Sequence, residues 1–387
     1  MTTERSKRRW LFRIVALLFV FGAFEVVAYV ALHTLARRYP MDPMAEITPE
    51  LVESYLERRY VPDLGWEPLP EDMNSIGARS LREYTELENT ISVYGDSYTF
   101  GDGVDVEQCW ATQLQGRLGC GVLNFGVGGY GTDQALMRLE QKYDVVPSKT
   151  VVFCIQAENV LRNLTIHRGF YAGGPNPPKP RFVLDGDGLA ILNPYPTPDA
   201  VRRLLIEDRQ SFIELAREHD DLCKEMMVHG KPWSLHFPYT YQMAVRLPFL
   251  SRRVMGKVNH LGRHAEHYEE GSAGLEVMKR IVVRFREFAA ERGFKPFVVV
   301  FPAPRDIYRH IEFDDVPYQS LLDFFASEQI AYYDCIGDFS ASGDPKPLMV
   351  NGVHHISELG GELVAEKLET FLRSHDAVPT ESSLHQD

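Results

Sequence analysis

The stretch Ile91-Ser92-Val93-Tyr94-Gly95-Asp96-Ser97-Tyr98-Thr99-Phe100-Gly101 decides how this chain folds. A short apolar run, Ile91 to Tyr94, leads into a serine set among small residues. A serine just past a buried strand sits at the C-terminal edge of the sheet. Glycines on either side let the backbone turn sharply and leave amide N–H groups free to bind an oxyanion. Ser97 is therefore a candidate nucleophile. The plainer alternative is a serine in an Asp–Ser turn.

Outward from this stretch, strands and helices alternate. Helical spacing covers Cys109 to Leu118, Thr132 to Tyr143, Leu275 to Ala290, Tyr318 to Ser327 and Ser357 to Leu372. Strands are expected at Gly121 to Asn124, Thr150 to Ile155, Phe297 to Phe301 and Ile330 to Tyr333. This alternation implies a parallel sheet covered on both faces. The interval from about 165 to 270 breaks the rhythm. It contains a hairpin pattern turning at Asp185-Gly186-Asp187-Gly188 and reads as an insertion over the C-terminal edge of the sheet. Residues 36–88 are polar with scattered prolines and read as a stalk or lead-in. The catalytic domain is expected over 89–373, and the tail 374–387 reads as disordered.

Three further blocks accompany Ser97. Asn124-Phe125-Gly126-Val127-Gly128-Gly129-Tyr130 follows the second strand, and no Lys-Ser/Thr follows it, which argues against a nucleotide P-loop. The third strand runs into Gln156-Ala157-Glu158-Asn159. Before the last helix comes Asn351-Gly352-Val353-His354-His355-Ile356-Ser357-Glu358-Leu359-Gly360. In order and position these blocks resemble those of SGNH/GDSL hydrolases, from about Ile91 to Leu372. The resemblance implies a three-layer α/β/α fold with a parallel, flavodoxin-like sheet, and a serine esterase or acyltransferase needing no metal and no organic cofactor.

Residue by residue, GDSxTxG places the nucleophile on Ser97, and the second block places an oxyanion-hole N–H on Gly129. The third block, GxND, is altered: Glu158 falls on the asparagine and Asn159 on the aspartate. An ionised carboxylate would repel an oxyanion, so either Asn159 supplies the donor or the hole has only the N–H groups of Ser97 and Gly129. Arg162, one helical turn on, is placed to neutralise Glu158. In the last block, DxxH, two registers compete. NGVH makes His354 the base, with Asn351 replacing the aspartate. HISELGG makes His355 the base, with Ser357 as helix cap and Leu359, Leu363 and Leu368 on the helix's apolar face. His355 is preferred, because distance from the cap positions the imidazole. The base-orienting aspartate is missing in both registers, leaving Asn351 or Asp344 as stand-ins.

The N-terminus bears on location. Ile14 to Leu32 is apolar apart from Glu25, about one bilayer of helix. More positive residues precede it (Arg5, Lys7, Arg8, Arg9, Arg13) than follow it (Arg37, Arg38). The expectation is a cytoplasmic 1–13, an anchor at 14–35 and an extracytoplasmic domain at a bacterial inner membrane; the alternative is a cleaved signal peptide, for which the stretch is long and no clear A-x-A site follows. A charge inside a span usually faces protein, so Glu25 marks a helix contact. A net charge of −13 argues against nucleic acid as a partner. Of the five cysteines, Cys109 and Cys120 are the pair expected to bridge in an oxidising compartment. By analogy with anchored members of the SGNH/GDSL family, the resemblance implies acyl esters, acetyl above all, of cell-envelope carbohydrate as substrate. The rival is an inactive module that binds glycan or scaffolds envelope or polysaccharide-export proteins.

Overall fold

Every residue of Ile91–Tyr94 and of Thr150–Gln156 is buried, as strands sandwiched between two helical layers must be. The computed structural model describes residues 2–38, 47–81, 83, 91–172, 176–226, 235–246, 260 and 262–378. Five strands form one parallel sheet: β1 (Ile91–Tyr94), β2 (Val122–Asn124), β3 (Thr150–Gln156), β4 (Lys295–Phe301) and β5 (Tyr332–Asp334), in the order β2-β1-β3-β4-β5. This is the flavodoxin-like order. Its direction of winding reverses between β1 and β3, which opens a crevice at their carboxyl ends. Ser97 follows β1 and Asn159 follows β3, so the topology brings two of the motif blocks to one place.

Successive strand residues feed opposite layers. Val93, Val152, Cys154, Val299 and Phe301 pack with Trp110 and Leu114 of α2 (Trp110–Leu118) and Val364, Leu368 and Leu372 of α6 (Glu358–Ser374). Tyr94, Val151, Phe153, Val298 and Val300 pack with Leu136 and Leu139 of α3 (Thr132–Lys142), Met278, Ile281 and Phe285 of α4 (Ala273–Arg292), and Leu321 and Phe325 of α5 (Gln319–Ser327). Ser272 caps α4 through Leu275 N–H, and Gly293 ends it at φ 78°. Ser357 caps α6 through Gly360 N–H, as expected. Leu359, however, is exposed; Gly360 and Gly361 take its place against the domain.

Four expectations need correction. Residues 47–81 are not a free stalk. Thr48 caps a helix over Pro49–Arg58, and Leu64, Trp66 and Ala78 are buried in the domain. Arg79 N–H bonds Asn124 O at the edge of β2, at 2.8 Å. The insertion's hairpin, Arg181–Asp185 with Gly188–Leu192, turns where expected. It lies against the α3/α4 layer, held by Lys179–Asp133 at 2.6 Å and Arg280–Asp187 at 3.5 Å. The chain after Ser374 stays packed through Val378, with Thr150 Oγ1 donating to Ala377 O; 379–387 lie outside the described residues. Finally, Cys109 and Cys120 do not bridge, and all five cysteines are free and buried. The two flank α2 at opposite ends, on the order of 15 Å apart by helical rise, beyond the ~7 Å limit of a disulfide.

At the N-terminus α1 spans Thr2–Arg38. Within it, Lys7–Thr34 is long and apolar enough to cross a membrane.

Candidate active site

Asp96 builds the turn that presents Ser97. One carboxylate oxygen accepts Tyr98 N–H at 2.9 Å, capping the single helical turn Ser97–Phe100, which Gly101 ends at φ 89°. The other accepts Arg162 Nη1 at 2.9 Å. The same Nη1 donates to Tyr130 O at 2.8 Å. Arg162 thus fastens the Ser97 turn to the glycine-rich block, and its Nη1 serves Asp96 rather than the Glu158 expected from spacing. Asn124 locks the two blocks a second time: its amide donates to Thr99 O at 2.7 Å and its carbonyl accepts Gly126 N–H at 2.9 Å.

Gly129 has φ 87°, and a Cβ there would collide with the Arg168 guanidinium. The position requires glycine for its left-handed backbone, and the Arg168 guanidinium lies against it. Neither Ser97 N–H nor Gly129 N–H is given to an acceptor among the described residues. Both belong to a cleft of about 380 Å³ lined also by Arg59, Asp102, Arg162, Arg168 and His355.

The two histidines separate. His355 lines this cleft, whereas His354 is exposed and does not. They sit on a small hairpin, Met349–Val350 against His354–Ile356. Asn351 (φ 52°) and Gly352 (φ 70°) form its turn, closed by Val353 N–H to Val350 O at 3.2 Å. Asn-Gly is the pair such a primed turn selects. This corrects the reading of Asn351 as base-orienting group: it is exposed and turns the chain. Asp344 is corrected likewise; it is exposed and accepts Lys346 N–H in a local turn. His355 itself has left-handed backbone, φ 57°.

No carboxylate hydrogen-bonds the His355 ring among the described residues, and no hydrogen bond joins it to Ser97. Burial, then the neighbouring His354 and Arg162, push its pKa down to about 4. Its support is Tyr98 instead, whose ring centroid lies 5.6 Å from the imidazole and whose hydroxyl meets the His355 backbone. Asp102, in the same cleft, is pushed up to about 6 by burial and by Asp96.

Asn159 is not brought to the cleft lining. As the first residue of the helix Asn159–Arg162 it is fully buried, and neither side-chain amide atom has a hydrogen-bond partner. Arg168, whose guanidinium lies against Gly129, is outside every motif block and left no signal in the spacing. Arg59 was missed because its segment read as a stalk, and Tyr98 because the motif leaves its position open. Away from the cleft, Glu225, Glu266 and His267 bring one ligand atom each within 4.8 Å of one another, but Arg263 already pairs with Glu225 at 3.1 Å.

The chain resembles SGNH hydrolases in sheet order and in the sequence of its motifs. No family model matches it, and no curated protein does. Among solved structures it is similar to a lipase/acylhydrolase from Enterococcus faecalis, with 12% identity and a TM-score of 0.36 over 74% of this chain and 97% of that one. It is also similar to an acetyl xylan esterase, with 13% identity and a TM-score of 0.35 over 73% and 98%. A third, an acetyl xylan esterase from the rumen bacterium Butyrivibrio proteoclasticus, has 10% identity and a TM-score of 0.33 over 75% and 64%. Likeness at this level leaves the chemistry to the site itself.

Proposed function

We propose that the chain is a serine-dependent ester hydrolase or O-acyltransferase. The observation that carries this reading is that Ser97, Gly129 and His355, from three separate loops, line one cleft, with two N–H groups left unclaimed. Ser97 Oγ attacks the ester carbonyl carbon, and His355, neutral at physiological pH, takes the hydroxyl proton. The carbonyl oxygen becomes an oxyanion facing the N–H groups of Ser97 and Gly129, with the Arg168 guanidinium beside them. Each such donor is worth roughly 3 kcal/mol. Collapse breaks the ester C–O bond, His355 returns the proton to the leaving alcohol, and an acyl-Ser97 ester remains. Water gives hydrolysis and a sugar hydroxyl gives transfer, each deprotonated by His355. Acetyl esters of cell-envelope carbohydrate, met outside the cytoplasm of a bacterium, are the substrate this reading favours.

The missing carboxylate behind His355 supports a second reading, a glycan-binding or scaffolding module of a polysaccharide-export complex with a weak or silent dyad. Turnover of small acetyl esters separates the two. The enzyme reading expects hydrolysis by the native chain and none by a folded Ser97→Ala variant. Equal rates in both would remove Ser97 from the chemistry, and no turnover by either would favour the module.

A further inference from the structure

Glu25 is the one acidic residue in the apolar stretch of α1, and it is not exposed to solvent: it is 6% accessible. Its carboxylate accepts Tyr239 N–H at 2.5 Å, Thr240 N–H at 3.2 Å and the Thr240 hydroxyl. The donors open a helical stretch over 239–246, so the carboxylate caps that helix across a gap of more than two hundred residues. Ala28 and Leu32 are buried on the same face of α1 as Glu25, three and seven positions on. Phe21 packs edge-on against Phe237, and Tyr29 against Tyr239. The segment is thus docked along a stripe of the candidate span.

Its other face is apolar and open. Tyr241 and Val245, four residues apart, are 45% and 39% accessible, and Phe24 and Val27 of α1 are 63% each. Its polar groups turn inward: Gln242 and Arg246 are buried and bond each other. Glu25 lies nine residues from the Thr34 end of the apolar stretch, about 13 Å by helical rise. That depth is the hydrocarbon core: Glu25 is two residues, ~3 Å, from the midpoint of Ile14–Leu32, so the docked segment lies beside the middle of the span.

We propose that residues 235–246 are a second membrane-seated element, docked along α1 within the bilayer with Tyr241 and Val245 facing the acyl chains. Three donors satisfy a carboxylate that would otherwise be costly in lipid. The described chain on either side of this segment is tied to the C-terminal edge of the sheet: Asp221 N–H bonds Leu164 O, and Tyr268 hydroxyl bonds Ala157 O at 2.8 Å.

The proposal rests on α1 being retained as a membrane span, and the test separates the two. Full-length chain is reconstituted in vesicles of phosphatidylethanolamine and phosphatidylglycerol. An environment-sensitive fluorophore is placed on Val245→Cys, on Phe19→Cys in the span, or on Val145→Cys at the opposite edge of the sheet. The native cysteines are buried, so the unsubstituted chain gives the background. Lipids with a nitroxide deep on the acyl chain should quench the Val245 and Phe19 labels several-fold more than the Val145 label. Quenching at Phe19 but not at Val245 overturns the membrane seating of 235–246 and leaves the span intact. Absence of quenching at Phe19 overturns the span, and the proposal with it. If Val245→Cys misfolds, Tyr241→Cys gives the same readout. Glu25→Ala should lower the quenching at Val245 while leaving that at Phe19 unchanged.

Discussion

His355 holds a backbone conformation that costs a non-glycine residue on the order of 1–3 kcal/mol, and Tyr98 is the neighbour that holds it there. Two predictions belong at this scale. Tyr98→Phe removes the hydroxyl contact to the His355 backbone. It should lower kcat several-fold with KM little changed, since nothing that binds the ester is lost. A KM effect alone would show Tyr98 acting on binding. The second prediction concerns pH. Burial, His354 and Arg162 lower the His355 pKa from its ordinary 6.5 to about 4. The base is therefore neutral at neutral pH and stays so until the medium approaches its folded value. The acid limb of kcat/KM should fall near 4, and a midpoint near 6.5 would mean that an ordinary, exposed histidine is the base. Linkage has the same sign. The unfolded chain takes up this proton around 6.5 and the folded chain only near 4, so stability present above 6.5 is lost as pH falls through that window. Alanine scanning completes the set: His355→Ala should cost about a hundredfold or more in rate, and His354→Ala little.

Between elements, the buried pair Arg162–Asp96 joins the turn after β1 to the short helix after β3. Arg162→Met would strand the Asp96 carboxylate without its guanidinium partner, and breaking such a pair costs about 3–5 kcal/mol. The midpoint of chemical denaturation should move accordingly; an unchanged midpoint would show that Asp96 does not depend on Arg162. Trp66, whose indole N–H bonds Gly128 O at 3.0 Å, ties the lead-in to the glycine loop. The strands and helices that carry these loops were legible in the sequence because their apolar periods are strong. The Ile91, Thr150 and Phe297 strands and α4 fall where the pattern puts them. The lead-in was not legible, because Leu64 and Trp66 are isolated apolar residues in a polar stretch and no period marks them. Its helix was signalled by Thr48-Pro49-Glu50, a capping signature that reading the stretch as a stalk passed over. Likewise Asn351-Gly352 is a turn signal that competed with a catalytic motif, and geometry decides for the turn.

At the scale of the whole molecule, the order of the motifs anticipated the parallel sheet and the meeting of Ser97, Gly129 and His355. It did not anticipate Arg168, because contacts across the insertion leave no trace in spacing. Nor did it anticipate that Asn159 would be fully buried, because one residue of helical phase decides which way a side chain points. The charge bias around α1 predicts an N-terminus in the cytoplasm and the cleft outside it. A periplasm-dependent phosphatase fused after Val378 should be active, and a cytoplasm-dependent reporter silent; the reverse pattern would move the substrate to the cytoplasm. The claim on which the rest turns is that Ser97 is an activated nucleophile. Fluorophosphonate labelling of the native chain, read by intact mass and peptide mapping, tests it most directly. The prediction is a single adduct on the peptide carrying Ser97, absent in Ser97→Ala and much slowed in His355→Ala. An adduct elsewhere, or none on a folded native chain, would contradict it.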